Sequence, residues 1–103
     1  MFWMEGSPVP LESTITKSIQ RLAKTRGWWC MKVAGGAFQR AGIPDLLLIK
    51  SGRAVFLEVK QPGKKPTPLQ TQVMNEISQV GGACTACVTS RDEAEEILSQ
   101  WDA

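Results

Sequence analysis

Gly42-Ile43-Pro44-Asp45-Leu46-Leu47-Leu48-Ile49-Lys50-Ser51-Gly52-Arg53-Ala54-Val55-Phe56-Leu57-Glu58-Val59-Lys60 decides the architecture of this chain. Two short apolar runs, 46–49 and 54–57, flank Lys50-Ser51-Gly52-Arg53. A two-residue Ser51-Gly52 loop makes the stretch a β-hairpin in which Lys50 pairs with Arg53. Carried back along both strands, that register sets Asp45 directly opposite Glu58. Opposed side chains have their Cβ atoms about 4.5–5.5 Å apart, and like charges there destabilise the pair. Two carboxylates that close raise each other's pKa unless a cation lies between them. Lys60, two residues beyond Glu58, leans to the same face. The spacing therefore predicts two carboxylates and one ammonium at the open end of the hairpin, the side-chain set of a metal site with a basic residue beside it. The plain alternative is a hairpin end carrying ordinary surface charges.

Hard oxygen donors without imidazole or thiolate select magnesium or manganese over zinc. The chain has no histidine, which excludes His-based general bases, His-ligated zinc and Ser-His triads. A divalent ion held by two carboxylates lowers the pKa of a bound water and stabilises charge on phosphate oxygens. A lysine beside it can position that water or offset transition-state charge. Together these parts suit metal-dependent hydrolysis of a phosphodiester.

The chain's 103 residues predict one domain, with residues 1–10 as a tail and 11–103 as the folded unit. Hydrophobic content of 43% and charged content of 21% are ordinary for a globular protein. The net charge of +2 conceals an asymmetry. Residues 1–90 carry 11 basic against 5 acidic side chains, a net +6, and three of those acids are candidate metal ligands. A polyanionic partner fits that distribution. The three cysteines make no disulfide framework. Neither a signal peptide nor a membrane-length apolar run is present, so the sequence predicts a soluble, cytoplasmic protein without a membrane partner.

Apolar positions Leu11, Ile15, Ile19 and Leu22 predict a first helix over 11–26, ended by Gly27. Trp28 to Val33 reads as a strand on which Trp28 and Trp29 alternate faces. One of them is core; the other could pack at a dimer interface or stack on a base. Residues 35–42 form a glycine-rich loop into the hairpin, whose own two faces are both apolar enough to need helices on both sides. Gln61-Pro62-Gly63-Lys64-Lys65-Pro66 is a basic loop. Thr67-Pro68-Leu69-Gln70 is a capping box that starts a helix to about Val80, with Leu69, Val73, Ile77 and Val80 as its buried stripe. Ala83 to Thr89 is a fourth strand, and Ser90-Arg91-Asp92-Glu93 is a second capping box. The helix it opens buries Ala94, Ile97, Leu98 and Trp101. The order αβββαβα gives an α/β fold.

Pro44-Asp45 followed by Glu58-Val59-Lys60 resembles the signature of the PD-(D/E)xK nuclease superfamily. Glu12, Gly42-Ile43-Pro44-Asp45, Glu58-Val59-Lys60 and Gln70, in that order, are similar to its VRR-NUC branch, and to the small stand-alone, virus-type members in particular. The resemblance implies a restriction-endonuclease-like core, a mixed four-stranded sheet flanked by helices. It also implies Mg2+- or Mn2+-dependent cleavage of DNA by a homodimeric, structure-selective endonuclease of the four-way-junction-resolving kind, with no nucleotide cofactor. On that resemblance Asp45, Glu58 and the Val59 carbonyl bind metal and Lys60 orients the attacking water or stabilises charge. Glu12 completes the site through a water, and Gln70 points at the site or the scissile phosphate. Each of the last two has a structural alternative: Glu12 as a first-turn acid on the helix dipole, and Gln70 as a capping-box residue. The two roles of Gln70 compete for one side chain.

Lys32, Arg40, Lys64 and Lys65 are candidate phosphate contacts. Cys84-Thr85-Ala86-Cys87 has redox spacing, but residues i and i+3 of a strand face opposite ways, which disfavours a disulfide or zinc clamp and leaves buried core cysteines. Gly35-Gly36 lacks the lysine and helix of a phosphate-binding loop. A non-catalytic DNA-binding or assembly module with the same fold is the alternative to an endonuclease, and the intact acid-acid-lysine set favours the enzyme. The aromatic side chains Phe2, Trp3, Trp28 or Trp29, and Trp101 exceed what one small core uses, which predicts a symmetric dimer.

Overall fold

The hairpin forms in the register that its turn dictates. In a computed structural model, which describes residues 8–33 and 40–101, the elements are α1 (Glu12–Thr25), β1 (Trp29–Lys32), β2 (Leu46–Lys50), β3 (Arg53–Val59), α2 (Pro68–Gln79), β4 (Cys84–Val88) and α3 (Arg91–Ser99). Lys50 pairs with Arg53 and Leu46 with Leu57. Ser51 and Gly52 both take positive φ, 51° and 77°. That is the two-residue turn whose twist matches the strands it joins. The sheet order is β1-β2-β3-β4, with the first three strands antiparallel and β4 parallel to β3. A parallel neighbour needs a crossover, and α2 supplies it. The fold is the mixed α/β architecture expected.

Strand alternation divides the sheet into two unequal faces. Leu46, Leu48, Val55, Leu57, Val59 and Val88 are buried on one face, beneath Ile15, Ile19 and Leu22 of α1 and Ala94 and Leu98 of α3. Trp28 completes this core and meets Trp101 edge-on, with ring centroids 6.3 Å apart. An ion pair between Arg26 and Glu95, 3.1 Å, ties the end of α1 to α3. The opposite face is covered unevenly. Helix α2 lies over β4, where the Thr85 hydroxyl donates to the Met74 carbonyl at 3.4 Å. Beyond it, Trp29 is 55% exposed, Met31 42% and Ile49 37%. The hairpin is therefore not buried on both sides as its composition suggested, because one helix cannot span four strands.

Three local readings change for related reasons. Leu11 is the exposed N-terminal cap of α1 rather than part of its stripe. Of the stripe expected on α2 only Val73 is fully buried, while Leu69 and Val80 are exposed. The second capping box is half formed: Ser90 accepts from the Glu93 amide, but the Glu93 carboxylate turns back to Thr89. Phe2, Trp3, residues 35–39 of the glycine-rich loop, and Asp102 lie outside the described residues. No helix among the described residues is long and apolar enough to cross a membrane.

The two adjacent tryptophans should separate sharply in stability. Trp28, 4% exposed, fills the core between α1 and α3. Trp28→Ala should cost about 3–5 kcal/mol in urea denaturation, and Trp29→Ala should stay within about 0.5 kcal/mol for the monomeric unit. Equal losses would place the strand on the wrong face.

Candidate active site

Asp45 follows a segment that leaves the backbone little freedom. Gly42 has φ +84°, and a Cβ there would lie 2.9 Å from Leu69 Cγ and 3.0 Å from Val73 Cγ2 on α2. Pro44 is fully buried and cannot donate, so the ladder starts after it. The Asp45 carbonyl accepts from the Val33 amide at 2.8 Å. Its side chain crosses to the neighbouring strand, where Oδ2 accepts from the Val59 amide at 2.8 Å. The carboxylate is thus fixed at the end of the hairpin beside Glu58.

Glu58 carries the site's electrostatic tension. It is 2% exposed. Its Oε1 accepts from Gln70 Nε2 at 3.2 Å and lies 3.9 Å from Lys60 Nζ. Its Oε2 is buried with no donor among the described residues. Burial, the Asp45 charge and a hydrogen bond to Asp45 push its carboxyl up to about 8, Glu12 adds to the rise, and Lys60 opposes it. Two carboxylates can hydrogen-bond only if one keeps its proton, so the Asp45–Glu58 contact favours a protonated Glu58 in the metal-free chain. Lys60 itself is fixed through its amide, which donates to the Val88 carbonyl at 3.0 Å.

Gln70 resolves the competition between its two roles by using both ends of the amide. Its Oε1 accepts from the Thr67 amide at 2.9 Å, completing the capping box with Thr67 Oγ1. Its Nε2 then reaches Glu58. Cap geometry therefore aims the donor at the site. Glu12 opens α1, is exposed, and makes its presence felt at Glu58 through charge.

The candidate phosphate contacts fall in different places. Lys64 and Lys65 are exposed on the loop after Lys60, where the Lys64 amide closes a turn on the Gln61 carbonyl at 3.0 Å. Arg40 is held by Glu76 of α2. Lys32 pairs with Leu46, on the opposite sheet face from Glu58, because an even strand position here belongs to the core side. Cys84 and Cys87 face opposite ways as expected, opposite Val55 and Glu58 respectively. Cys87 is consequently no core cysteine: it stands beside Glu58, and burial first, then the Glu58 charge, pushes its thiol up. The sequence could not reveal this neighbour, since the β3–β4 register is set by the α2 crossover and not by a turn. Gln61, whose side chain donates to the Pro10 carbonyl at 3.1 Å, was also invisible in the sequence pattern.

No group of three or more His, Cys, Asp or Glu side chains converges to hold a metal among the described residues. The donors at the hairpin end are a pair of carboxylates with the Val59 backbone next to them. That pair fits a hard divalent ion: both ligands are anionic oxygen, and a cation would satisfy the buried, donorless Oε2. It does not fit a thiophilic ion.

No family model matches the chain. A solved structure titled "VRR_NUC domain" superimposes with a TM-score of 0.72 at 26% identity, covering 87% of this chain and 96% of that one. The named fold and the element order agree with the resemblance read from the motifs. A curated protein of Acyrthosiphon pisum secondary endosymbiont phage 1, named "Putative nuclease p44", is 42% identical over 45 residues. That match takes in 38% of this chain, which spans about half, 48%, of the relative's length.

The raised Glu58 carboxyl fixes the sign of a pH effect. Its pKa of about 8 lies above the ordinary 4.5, so the folded, metal-free chain holds this proton more tightly than the unfolded one. The resulting stabilisation is complete below the ordinary value and lost as pH rises through the folded value. In EDTA the melting temperature should fall between about pH 5.5 and pH 8.5, and Glu58→Gln should flatten that fall. A wild-type melting temperature that rises across the interval would contradict the assignment.

Proposed function

We propose that this chain, which has the VRR-NUC fold, is a divalent-metal-dependent endodeoxyribonuclease acting on branched DNA such as four-way junctions. The observation that carries the reading is the donorless, buried Oε2 of Glu58 set against Asp45, with Lys60 Nζ 3.9 Å from the other oxygen. The nuclease names attached to the similar structure and to the phage relative support the same chemistry. Mg2+ or Mn2+ would be held by Asp45, Glu58 and the Val59 carbonyl, with Glu12 completing the set through water. Such an ion, when bound, supplies charge stabilisation to phosphate oxygens and acidifies water.

The chain's own groups divide the remaining work. Lys60 places a positive charge at the reacting phosphate and can hold the attacking water by hydrogen bonding. Gln70, oriented by its cap, holds the Glu58 carboxylate in place through Oε1. The Val59 amide does the same for Asp45. These hydrogen bonds fix the carboxylates before substrate arrives, which is where enzymes gain most from polar groups. Lys64 and Lys65 provide phosphate contacts beside the site, outside the ligand set.

The half-open sheet face supports a homodimer. Trp29, Met31 and Ile49 form an exposed apolar patch on β1 and β2, and such patches mark interfaces. Trp28 and Trp101 do not contribute, because they pack on each other within one chain. A symmetric dimer would bring two sites to the paired strands of a junction.

A nicking assay on supercoiled plasmid with Mg2+ or Mn2+, extended to junction, flap and duplex substrates, tests the reading. Asp45→Asn or Glu58→Gln should lower cleavage by about 10²–10³-fold, the effect of losing several kcal/mol of charge stabilisation. Near wild-type cutting by either variant would refute the site.

Binding and cutting should separate at the basic loop. Replacing Lys64 and Lys65 together with alanine should weaken DNA binding and flatten its salt dependence by about one log unit of slope per lost contact. The rate at saturation should hold. An unchanged slope, or a collapse of the saturated rate, would misplace this loop.

A further inference from the structure

Helix α1 begins without a conventional cap. Leu11 occupies the N-cap position and offers no side-chain hydrogen bond to the first turn. A cleft of about 600 Å3 lies against that turn, lined by Pro10, Thr14, Ile15, Ser18, Pro62 and residues 89–93. Ile15 anchors the end of the first turn in the core, while the entry at Pro10 borders the cleft. One side chain reaches across: Gln61 Nε2 donates to the Pro10 carbonyl at 3.1 Å, joining segments 51 positions apart. Gln61 is itself held on both sides, since the preceding Lys60 amide donates to Val88 and the Gln61 carbonyl accepts from Lys64. A rigid strut thus runs from the catalytic strand to a point two residues before Glu12.

We propose that Gln61 is a positioning residue: its carboxamide pins the entry to α1 and so sets Glu12 beside the Asp45–Glu58 pair. The inference rests on the reading that this pair binds a divalent ion with Glu12 assisting. Glu12 is exposed and its carboxylate has no hydrogen bond among the described residues, so its distance from Glu58 depends on where the entry to α1 sits. Without the strut, the chain ahead of Ile15 can shift over the cleft and the third carboxylate's contribution falls. Gln61 makes no contact with substrate or ion in this scheme; it acts through Glu12.

Mn2+ binding to the intact chain, followed by electron paramagnetic resonance in the absence of DNA, tests this without reference to cleavage. Gln61→Met keeps the length of the side chain and removes the donor. It should weaken Mn2+ binding about three- to tenfold, the range spanned by one neutral hydrogen bond. Glu12→Gln should weaken binding at least as much, and adding Gln61→Met to it should change nothing further. Circular dichroism and the melting temperature confirm that each variant is folded. Wild-type affinity in Gln61→Met, an equal loss in both backgrounds, or wild-type affinity in Glu12→Gln would each overturn the proposal. Asp45→Asn marks a separate failure: if it binds Mn2+ as the wild type does, the underlying metal site is wrong, whatever Gln61 does.

Discussion

The opposition of Asp45 and Glu58 is the constraint around which this chain is arranged. The Ser51-Gly52 turn and the ladder it starts leave no register in which the two carboxylates avoid each other. A fold that merely needed a hairpin end would place unlike charges or polar side chains there. Instead Glu58 is buried, raised to about 8, and left with one oxygen that no donor reaches. Burying a lone charge is costly, and the groups nearby reduce the cost without removing it. Lys60 stands near one oxygen, Gln70 donates to the same one, and the Val59 amide holds Asp45. The arrangement is strained toward protonation in the metal-free chain and would be relieved by a cation.

The rest of the architecture serves that corner by fixing what surrounds it. Gly42 permits the approach of α2, and α2 carries Gln70 on a cap whose geometry determines where the amide points. The parallel strand β4 completes the sheet beside Glu58 and receives the Lys60 amide. Helices α1 and α3 bury the hairpin face of Leu46, Leu48, Val55 and Leu57, and the acids lie on the opposite face. One apolar stretch of that opposite face, around Trp29 and Ile49, is exposed, farther along the strands from the carboxylates.

The sequence revealed features whose cause is local. The hairpin register follows from a two-residue turn, the α2 cap from Thr67 and Gln70, and the Cys84–Cys87 orientation from strand alternation. Features that depend on one element meeting another were not legible. Coverage of the hairpin's second face depends on where α2 lies, so Leu69 and Val80 were misread as buried. Cys87 came beside Glu58 only through the β3–β4 register, and Gln61 reached Pro10 only through the packing of α1. Gln70 is the instructive middle case. Its cap was plain from four residues, yet its second hydrogen bond needed the strand end that the cap faces.

The most direct measurement of the central claim is anomalous diffraction from crystals of the intact chain grown with Mn2+. A single strong anomalous peak between Asp45 and Glu58, at an ordinary metal–carboxylate distance of about 2.0–2.6 Å from Glu58 Oε2, is the result the account predicts. Manganese bound elsewhere, or a crystal soaked to saturation with no ion between Asp45 and Glu58, would contradict it.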